Sequence, residues 1–368
     1  AGRSPGRSAA RAGAAPTAPE AEEEEGGLPR RVALGSAALL LAGFAVKKYG
    51  VDGGMVQFDL PPQSLQGRVV LITGGNTGLG RESAIRLARA GATIVLTARS
   101  DAKGLEAQDA VRRESGSTEV YYQQLDLADL RSVKSFVDKF KQSPYGEKID
   151  VLMNNAGVMA IPQRLETRDG FEEQFGVNHL GHFALTGLLL PQLLKSTFAR
   201  VINVSSTAHL GATRELLQGD LMAPDRYTQW GAYCQSKLAN VLFAKELDRR
   251  FKQKGIQATA VSCHPGGVDT DLARWLVVAK DDPQAAKELR DTNFIARNLA
   301  LFLTRDVHLG ANTQIYLAAG ADGGLDKSGG QYFDNMAPGL LNPVANDEAL
   351  AKSLWTESER LTGVRIDL

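Results

Sequence analysis

The stretch that decides the fold is Thr73-Gly74-Gly75-Asn76-Thr77-Gly78-Leu79-Gly80. It follows the strand-like run 68–72 and precedes the helix-like run 81–88. A glycine-rich turn in this setting lets the backbone approach a pyrophosphate, whose charge then lies against a helix N-terminus. A glycine motif alone is a weak indicator, so the flanking strand and helix decide the interpretation. The stretch therefore predicts a dinucleotide-binding turn.

Predicted strands and helices alternate outward from this turn. The strands are expected at 68–73, 93–99, 119–126, 150–154, 200–205, 257–264 and 331–333. The helices are expected at 80–90, 102–114, 130–141, 171–194, 232–252, 284–304 and 347–361. Continuous apolar runs such as 69–72 are typical of parallel strands covered on both faces. The pattern predicts an α/β, Rossmann-type, doubly wound and mainly seven-stranded parallel sheet in a single domain over 67–368.

Composition excludes some classes of protein. The chain has 368 residues, 43% of them hydrophobic, which is enough to bury a full core. Forty-two basic and forty-two acidic residues balance, so we expect no nucleic-acid partner. Two cysteines, Cys234 and Cys263, are too few for a disulfide framework.

The N-terminal tail, residues 1–31, differs in composition from the rest. Its first nineteen residues contain Arg3, Arg7 and Arg11 and no acid, which is the composition of an organellar transit peptide. A disordered tail explains the same composition equally well.

An apolar run of fifteen residues, 32–46, follows Arg30-Arg31 and precedes Lys47-Lys48. As a helix it would extend about 22 Å, which is less than the ~30 Å hydrocarbon core of a bilayer. A tilted anchor, a cleaved signal segment and a twin-arginine signal all fit this length. We expect membrane attachment through 32–48, a linker over 49–66, and a plastid membrane (thylakoid or envelope), with the endoplasmic reticulum as the alternative.

The second predicted strand indicates which cofactor is bound. In dinucleotide folds an acid about 20 residues beyond the glycines binds the ribose of NAD. Here the strand ends in Arg99 and Ser100, and Arg81 follows the last glycine. Arginine suits a 2′-phosphate because its donors form a planar fork. Although both could be ordinary surface arginines, their places favour NADP(H).

Tyr233 and Lys237 are four residues apart on a predicted helix and therefore share one face. A nearby ammonium lowers the pKa of a phenol, which suits it to proton transfer near neutral pH. The spacing alone is common by chance. However, Ser206 ends a strand-like run, where the carboxyl edge of a parallel sheet binds ligands, and could hydrogen-bond a substrate oxygen.

Taken in order, these motifs resemble the short-chain dehydrogenase/reductase superfamily over residues 67–361. They are the 73–80 octet, Asp126, Asn154-Asn155-Ala156-Gly157, Asn178, Ser206, Tyr233, Lys237 and Pro265-Gly266-Gly267-Val268-Asp269-Thr270. Within the superfamily, residues 125–127, 177–183 and 264–266 are similar to the branch of retinol dehydrogenases, WW-domain oxidoreductases and protochlorophyllide oxidoreductases. The segment that protochlorophyllide reductases carry after the active-site region is missing.

The resemblance implies a role for each site residue. Tyr233 would be the general acid/base, Lys237 would hold the nicotinamide ribose, Ser206 would stabilise the substrate oxygen and Asn178 would support a relay water. The remaining cofactor-binding positions would be Gly74, Asn76, Thr77, Gly78, Leu79, Gly80, Arg81, Arg99, Asp126, Leu127, Asn155, Ala156, Gly157, Pro265, Gly266, Val268 and Thr270. The implied substrate is a lipophilic carbonyl or alcohol of retinoid, isoprenoid or pigment type.

Other features give weaker expectations. His179 and His182 are three apart on a predicted helix, but no acidic companion supports zinc, so we expect packing and no metal site. The apolar stretch 271–278, around Trp275, is expected to form a lid over the substrate. A structural or assembly subunit of a membrane complex, retaining the fold and bound nucleotide, is the alternative function. A homo-oligomer is left open.

Overall fold

The computed structural model describes residues 1–2, 57–219, 221–265, 306–320 and 328–368. The fold below is that of the described residues from Gln57 onward. Four segments predicted from the sequence lie outside the described residues, except for residues 1–2. They are the tail 1–31, the apolar segment 32–48, the lid 271–278 and the helix 284–304. The cofactor-binding positions Gly266, Val268 and Thr270 lie outside the described residues as well.

One eight-stranded sheet forms the centre of the domain. Its strands are β1 (Val69–Ile72), β2 (Thr93–Ala98), β3 (Val120–Gln124), β4 (Val151–Asn154), β5 (Ala199–Val204), β6 (Ala258–His264), β7 (Tyr332–Asp334) and β8 (Ala337–Pro338). Their order is β3-β2-β1-β4-β5-β6-β7-β8. The first seven strands pair in parallel and β8 pairs antiparallel with β7. The predicted doubly wound sheet is confirmed, and the edge strand β8 is an addition to it.

The described helices are α1 (Gly78–Arg89), α2 (Asp101–Ser115), α3 (Leu130–Gln142), α4 (Gly181–Leu193), α5 (Gln229–Gln253), α6 (Val307–Gly310), α7 (Asn312–Ala319) and α8 (Glu348–Thr362). A single α-helical turn, Glu173–Phe175, and a π-helical turn, Gly176–Leu180, lead into α4. The sequence predicted one continuous helix there and did not predict α6 or α7. None of the helices described here is long and apolar enough to cross a membrane.

Alternate residues of each strand pack on opposite faces of the sheet. In β1, Val69 and Leu71 join one core cluster, whereas Val70 and Ile72 join the other. The first cluster includes side chains of α3, α4, α5 and α8; the second includes those of α1, α2 and α7. Because both faces are covered by helices, every residue of β1 is buried, which explains its unbroken apolar sequence.

Part of the predicted linker 49–66 belongs to the folded domain. Leu65 is buried in the core, and its amide donates to the Ala90 carbonyl at 2.9 Å. The Phe58 amide donates to Asn312 Oδ1 at 3.0 Å, and the buried Arg86 guanidinium donates to the Phe58 carbonyl. The start of the domain is therefore earlier than the predicted residue 67, at or before Phe58.

Candidate active site

The glycine-rich turn runs from β1 into α1 and requires glycine at defined places. Gly74 and Gly78 have φ of 63° and 52°, in the left-handed region that favours glycine. A Cβ on Gly80 would lie 2.5 Å from the Gly74 carbonyl oxygen and 2.6 Å from Asn155 Nδ2. These glycines keep the turn tight and leave its outer surface open to a ligand.

The N-terminus of α1 suits an anion. Thr77 is its N-cap residue, yet no side-chain capping bond is made there among the described residues, and the first turn carries no acid. By contrast, α3 and α8 are capped by the carboxylates of Asp129 and Asp347. Unpaired N–H groups at a helix start bind phosphate through hydrogen bonds and the helix dipole. The residues present therefore fit the pyrophosphate of a dinucleotide.

A cleft of about 310 Å³ opens in front of this turn. It is lined by predicted cofactor-binding positions, namely Gly74, Asn76, Thr77, Gly78, Leu79, Gly80, Arg99, Asp126, Leu127, Asn155, Ala156 and Gly157. Other lining residues were not predicted from the sequence: Thr97, Ala98, Ser100, Lys103, Leu125, Val158 and Val177. Since the carboxyl ends of β1, β2 and β4 converge here, the cleft lies where parallel sheets bind ligands.

Of the two arginines expected to bind a 2′-phosphate, one lines the cleft and the other does not. Arg99 lines the cleft, and so does the exposed Lys103, in the first turn of α2. Arg81 instead forms an ion pair with Glu114 at the end of α2 and is not among the lining residues. The sequence could not show this pair, because its members are 33 positions apart.

Asn155 and His182 hold the start of the glycine-rich turn through contacts with Thr73. Asn155 Nδ2 donates to the Thr73 carbonyl at 2.8 Å, so its amide holds β4 against the turn. His182 Nε2 lies 2.8 Å from the Thr73 hydroxyl, and its Nδ1 lies 3.0 Å from the Asn178 carbonyl. Burial lowers the pKa of His182 to about 4, so the imidazole is neutral and acts as a connector between Thr73 and Asn178.

The structure brings Ser206, Tyr233 and Lys237 together at the carboxyl end of β5. Ser206 follows this strand, and Tyr233 and Lys237 share one face of α5. Tyr233 and Lys237 are only 3% and 2% exposed. The Ser206 side chain acts on the Tyr233 phenol, and Lys237 Nζ lies 5.6 Å from the centre of the Tyr233 ring.

Burial dominates the protonation of this group. It raises the pKa of Tyr233 to about 12, although the neighbouring Ser206 side chain acts in the opposite direction. It lowers the pKa of Lys237 to about 8. Lys237 Nζ donates to the Val204 carbonyl at 3.1 Å rather than to the phenol. The expected lowering of the tyrosine pKa is not found in this geometry, where desolvation of the phenolate is the largest effect.

Asn178 lies within the π-helical turn and is fully buried. Its Oδ1 accepts from the Val158 amide at 2.8 Å, and its Nδ2 donates to Ser236 Oγ at 2.9 Å. A Cβ on Gly157 would lie 3.1 Å from Asn178 Oδ1 and 3.6 Å from Lys237 Nζ. Asn178 and Lys237 thus reach the inner end of the cleft at Gly157.

Comparison with known proteins agrees with this site. A family model described as short chain dehydrogenase matches residues 68–280. The chain belongs to the short chain dehydrogenase family. It is 40% identical to retinol dehydrogenase 13 of Homo sapiens over 305 residues, covering 82% of this chain and 86% of the relative. It is 39% identical to polyprenol dehydrogenase of Mus musculus over 308 residues, covering 83% and 86%. The chain is an oxidoreductase of the retinol dehydrogenase-like branch.

Solved structures agree with this assignment. An uncharacterised protein from Mycobacterium paratuberculosis has a TM-score of 0.63 and 35% identity, covering 85% of this chain and all of that one. A Shigella flexneri short chain dehydrogenase, solved as a complex with NADP, has a TM-score of 0.53 and 24% identity, covering 75% and 100%. At that identity the second likeness shows the fold alone.

Proposed function

We propose that this protein is an NADP(H)-dependent oxidoreductase that transfers hydride between the nicotinamide and a lipophilic carbonyl or alcohol. The observation that carries the proposal is the grouping of Ser206 and Tyr233 at the end of β5, with Lys237 buried beside the phenol. A scaffold protein has no need of this arrangement. It lies at the same edge of the sheet as the glycine-rich cleft, which allows one molecule of cofactor to reach both.

Each residue of the site has a chemical task. Bound NADPH would supply the hydride, held along the cleft from Arg99 to Gly157. Ser206 donates a hydrogen bond to the carbonyl oxygen of the substrate, and Tyr233 transfers its phenolic proton to that oxygen as negative charge develops. Lys237, buried 5.6 Å from the centre of the phenol ring, would hold the ribose of the nicotinamide. A phenol with a raised pKa is protonated at neutral pH, which is the form that carbonyl reduction requires.

The cations at the far end of the cleft support the choice of NADP(H). Arg99 and Lys103 both line it, and the α2 N-cap residue Ser100 makes no side-chain capping bond among the described residues. A phosphate bound there would meet two positive side chains and the N-terminus of α2, where Asp101 accepts from the Tyr122 hydroxyl. These features suit a 2′-phosphate better than a bare ribose hydroxyl.

Exposed apolar side chains near Ser206 and Tyr233 favour a lipophilic substrate. The Trp230 ring is 44% exposed and lies edge-on to Tyr233, with 6.1 Å between ring centres. Leu210, four residues after Ser206, is 39% exposed. Among the relatives, the names retinol dehydrogenase and polyprenol dehydrogenase both refer to long apolar alcohols.

A panel of substrates tests the proposal directly. The full chain is mixed with NADPH and either decanal, all-trans-retinal or a small polar aldehyde, and NADPH oxidation is followed by absorbance. We expect turnover with the apolar aldehydes, slower turnover with the polar one, and weaker use of NADH. NADPH binding without turnover of any aldehyde or of the corresponding alcohols would favour the structural or assembly subunit instead.

Membrane attachment through residues 32–48 is part of the proposal and rests on the sequence. The plastid and the endoplasmic reticulum are both retained as locations, and the named relatives come from animals, which lack plastids. The test compares the full chain with a chain that begins at Gln57, so that the Phe58 contacts are kept. We expect the full chain in the membrane fraction and the shorter chain, with equal activity, in the soluble fraction. A full chain found wholly in the soluble fraction would contradict the anchor.

A further inference from the structure

The loop that carries Ser206 is held by two buried residues that do not line the cofactor cleft. His209 is fully buried and Asn342 is 4% exposed. His209 lies three residues after Ser206, in the 3₁₀ turn Thr207–Gly211, whereas Asn342 belongs to the C-terminal part of the chain, just before the turn Pro343–Asn346. Two segments distant in sequence therefore meet directly behind the serine.

The hydrogen bonds of His209 fix its tautomer. Nδ1 lies 2.6 Å from the Ser206 carbonyl oxygen, which can only accept, so Nδ1 carries the hydrogen. Nε2 accepts from the Asn342 backbone amide at 3.3 Å and must be unprotonated. The imidazole thus connects the main chain of Ser206 to the main chain of Asn342.

The Asn342 side chain completes the connection. Its Nδ2 donates to the carbonyls of His209 and Ala212, each at 2.8 Å, while its Oδ1 accepts from the Val344 amide at 2.9 Å. Both polar atoms of the Asn342 amide are therefore hydrogen-bonded. The nitrogen binds the loop that carries Ser206, and the oxygen caps the turn Pro343–Asn346.

We propose that His209 and Asn342 are positioning residues that set the place of the Ser206 hydroxyl relative to Tyr233. Ser206 is extended, with φ −163° and ψ 158°, and its own Oγ accepts from the Ala208 amide at 3.2 Å. Its orientation follows from the path of residues 206–212, which the His209–Asn342 clamp holds in place. The proposal rests on the proposed function, since it assigns a purpose to this clamp in the reaction of Ser206 and Tyr233.

The sharpest test is Asn342→Asp, which retains size and the oxygen that caps Val344 but replaces the donor by an acceptor facing two carbonyls. Displacing a reacting group by about 1 Å can cost up to about 100-fold in rate. We expect kcat with NADPH and decanal to fall at least tenfold, with the KM and Kd for NADPH unchanged. Asn346→Asp, an exposed asparagine four residues on, is the matched control and should match wild type.

A second pair separates positioning from stability. His209→Asn can still donate from near the place of Nδ1, whereas His209→Leu cannot. We expect His209→Asn to recover most of the kcat that His209→Leu loses, when both variants are assayed well below their melting temperatures. Equal kcat for the two variants, or a wild-type kcat for Asn342→Asp, would overturn the proposal.

A readout independent of activity distinguishes failure of the clamp from failure of the proposed function. Nitrogen NMR of the full chain with ¹⁵N-labelled histidine, assigned by the signal lost in His209→Asn, should show a neutral ring with hydrogen on Nδ1. The Nε2–H tautomer would overturn the clamp whatever the enzyme reduces. The expected tautomer in a chain that reduces no aldehyde would leave the clamp geometry standing and contradict the proposed reaction.

Discussion

The two ends of this active site are built in opposite ways. At the cofactor end, the backbone N–H groups at the start of α1 have no side-chain cap among the described residues, and the space before them is kept open by glycines. At the catalytic end, Lys237 and Asn178 are buried and already hydrogen-bonded within the protein. At the cofactor end, backbone N–H groups without a side-chain cap are available to bind a ligand. At the catalytic end, hydrogen bonds within the protein hold the polar side chains in place.

This difference determines which substitutions damage which step. Changes at the open end should alter cofactor affinity, because they fill space or remove charge. Changes at the packed end should alter rate, because the groups there control proton transfer and its geometry. The following predictions test that separation, starting with the largest effect.

Tyr233→Phe should lower turnover by about 10²- to 10⁴-fold while leaving the Kd for NADPH within about twofold. The change removes only the hydroxyl that transfers the proton, and the glycine-rich turn is untouched. Steady-state rates and fluorescence titration with NADPH measure the two quantities. Tyr121→Phe, which removes a hydroxyl that donates to the exposed Glu119, is the control. A Tyr233→Phe enzyme with half of the wild-type rate would contradict the mechanism.

Gly80→Ala should weaken NADPH binding by more than about tenfold, because the new methyl group would meet the Gly74 carbonyl at 2.5 Å and the turn would have to open. Gly187→Ala in α4 is the matched control, since its Cβ would meet the side chains of Val364 and Ile366, not a backbone atom, at 2.8 Å. The control should lower the melting temperature without changing the Kd. Equal loss of affinity in both variants would mean that the effect is on stability alone.

Arg99→Asp should shift the ratio of kcat/KM for NADPH over NADH by at least about tenfold, which corresponds to about 1.4 kcal/mol. Lys103→Ala should shift it in the same direction by less. Arg81→Ala is the informative control, because Arg81 is paired with Glu114 and should change the ratio little. A larger effect from Arg81→Ala than from Arg99→Asp would place 2′-phosphate recognition at the start of α1.

The smallest effect concerns His308 and Glu82, away from both ends. His308 Nδ1 lies 2.8 Å from Glu82 Oε1, and this bond raises the pKa of His308 above its usual 6.5. The raised pKa adds stability that is fully present below pH ~6.5 and is lost as pH rises through the folded value. His308 is 61% exposed, so we expect less than about 1 kcal/mol. Urea melts of wild type and His308→Asn at pH 5.5 and 8.5 should differ only at the lower pH.

The sequence predicted what depends on local pattern. Strands and helices from β1 to β6 agree with their predicted places within a few residues, because apolar runs and glycine turns are local signals. The edge strand β8 has two residues and no such signal. The state of Tyr233 was misjudged because the sequence shows the neighbouring lysine but not the burial of both groups. The pairing of Arg81 and the role of Lys103 depend on how α2 lies against α1, which is a tertiary property.

The π-helical turn Gly176–Leu180 acts as one extra residue inserted into an otherwise regular helix. Each residue of an α-helix rotates the side-chain direction by about 100° about the helix axis. The extra residue therefore rotates the residues before the π-helical turn relative to those of α4. Removing one residue there would restore ordinary helical bonding, yet it would rotate Asn178 away from Val158 and Ser236. Regular helical bonding and the hydrogen bonds of Asn178 thus favour different chain lengths at this point.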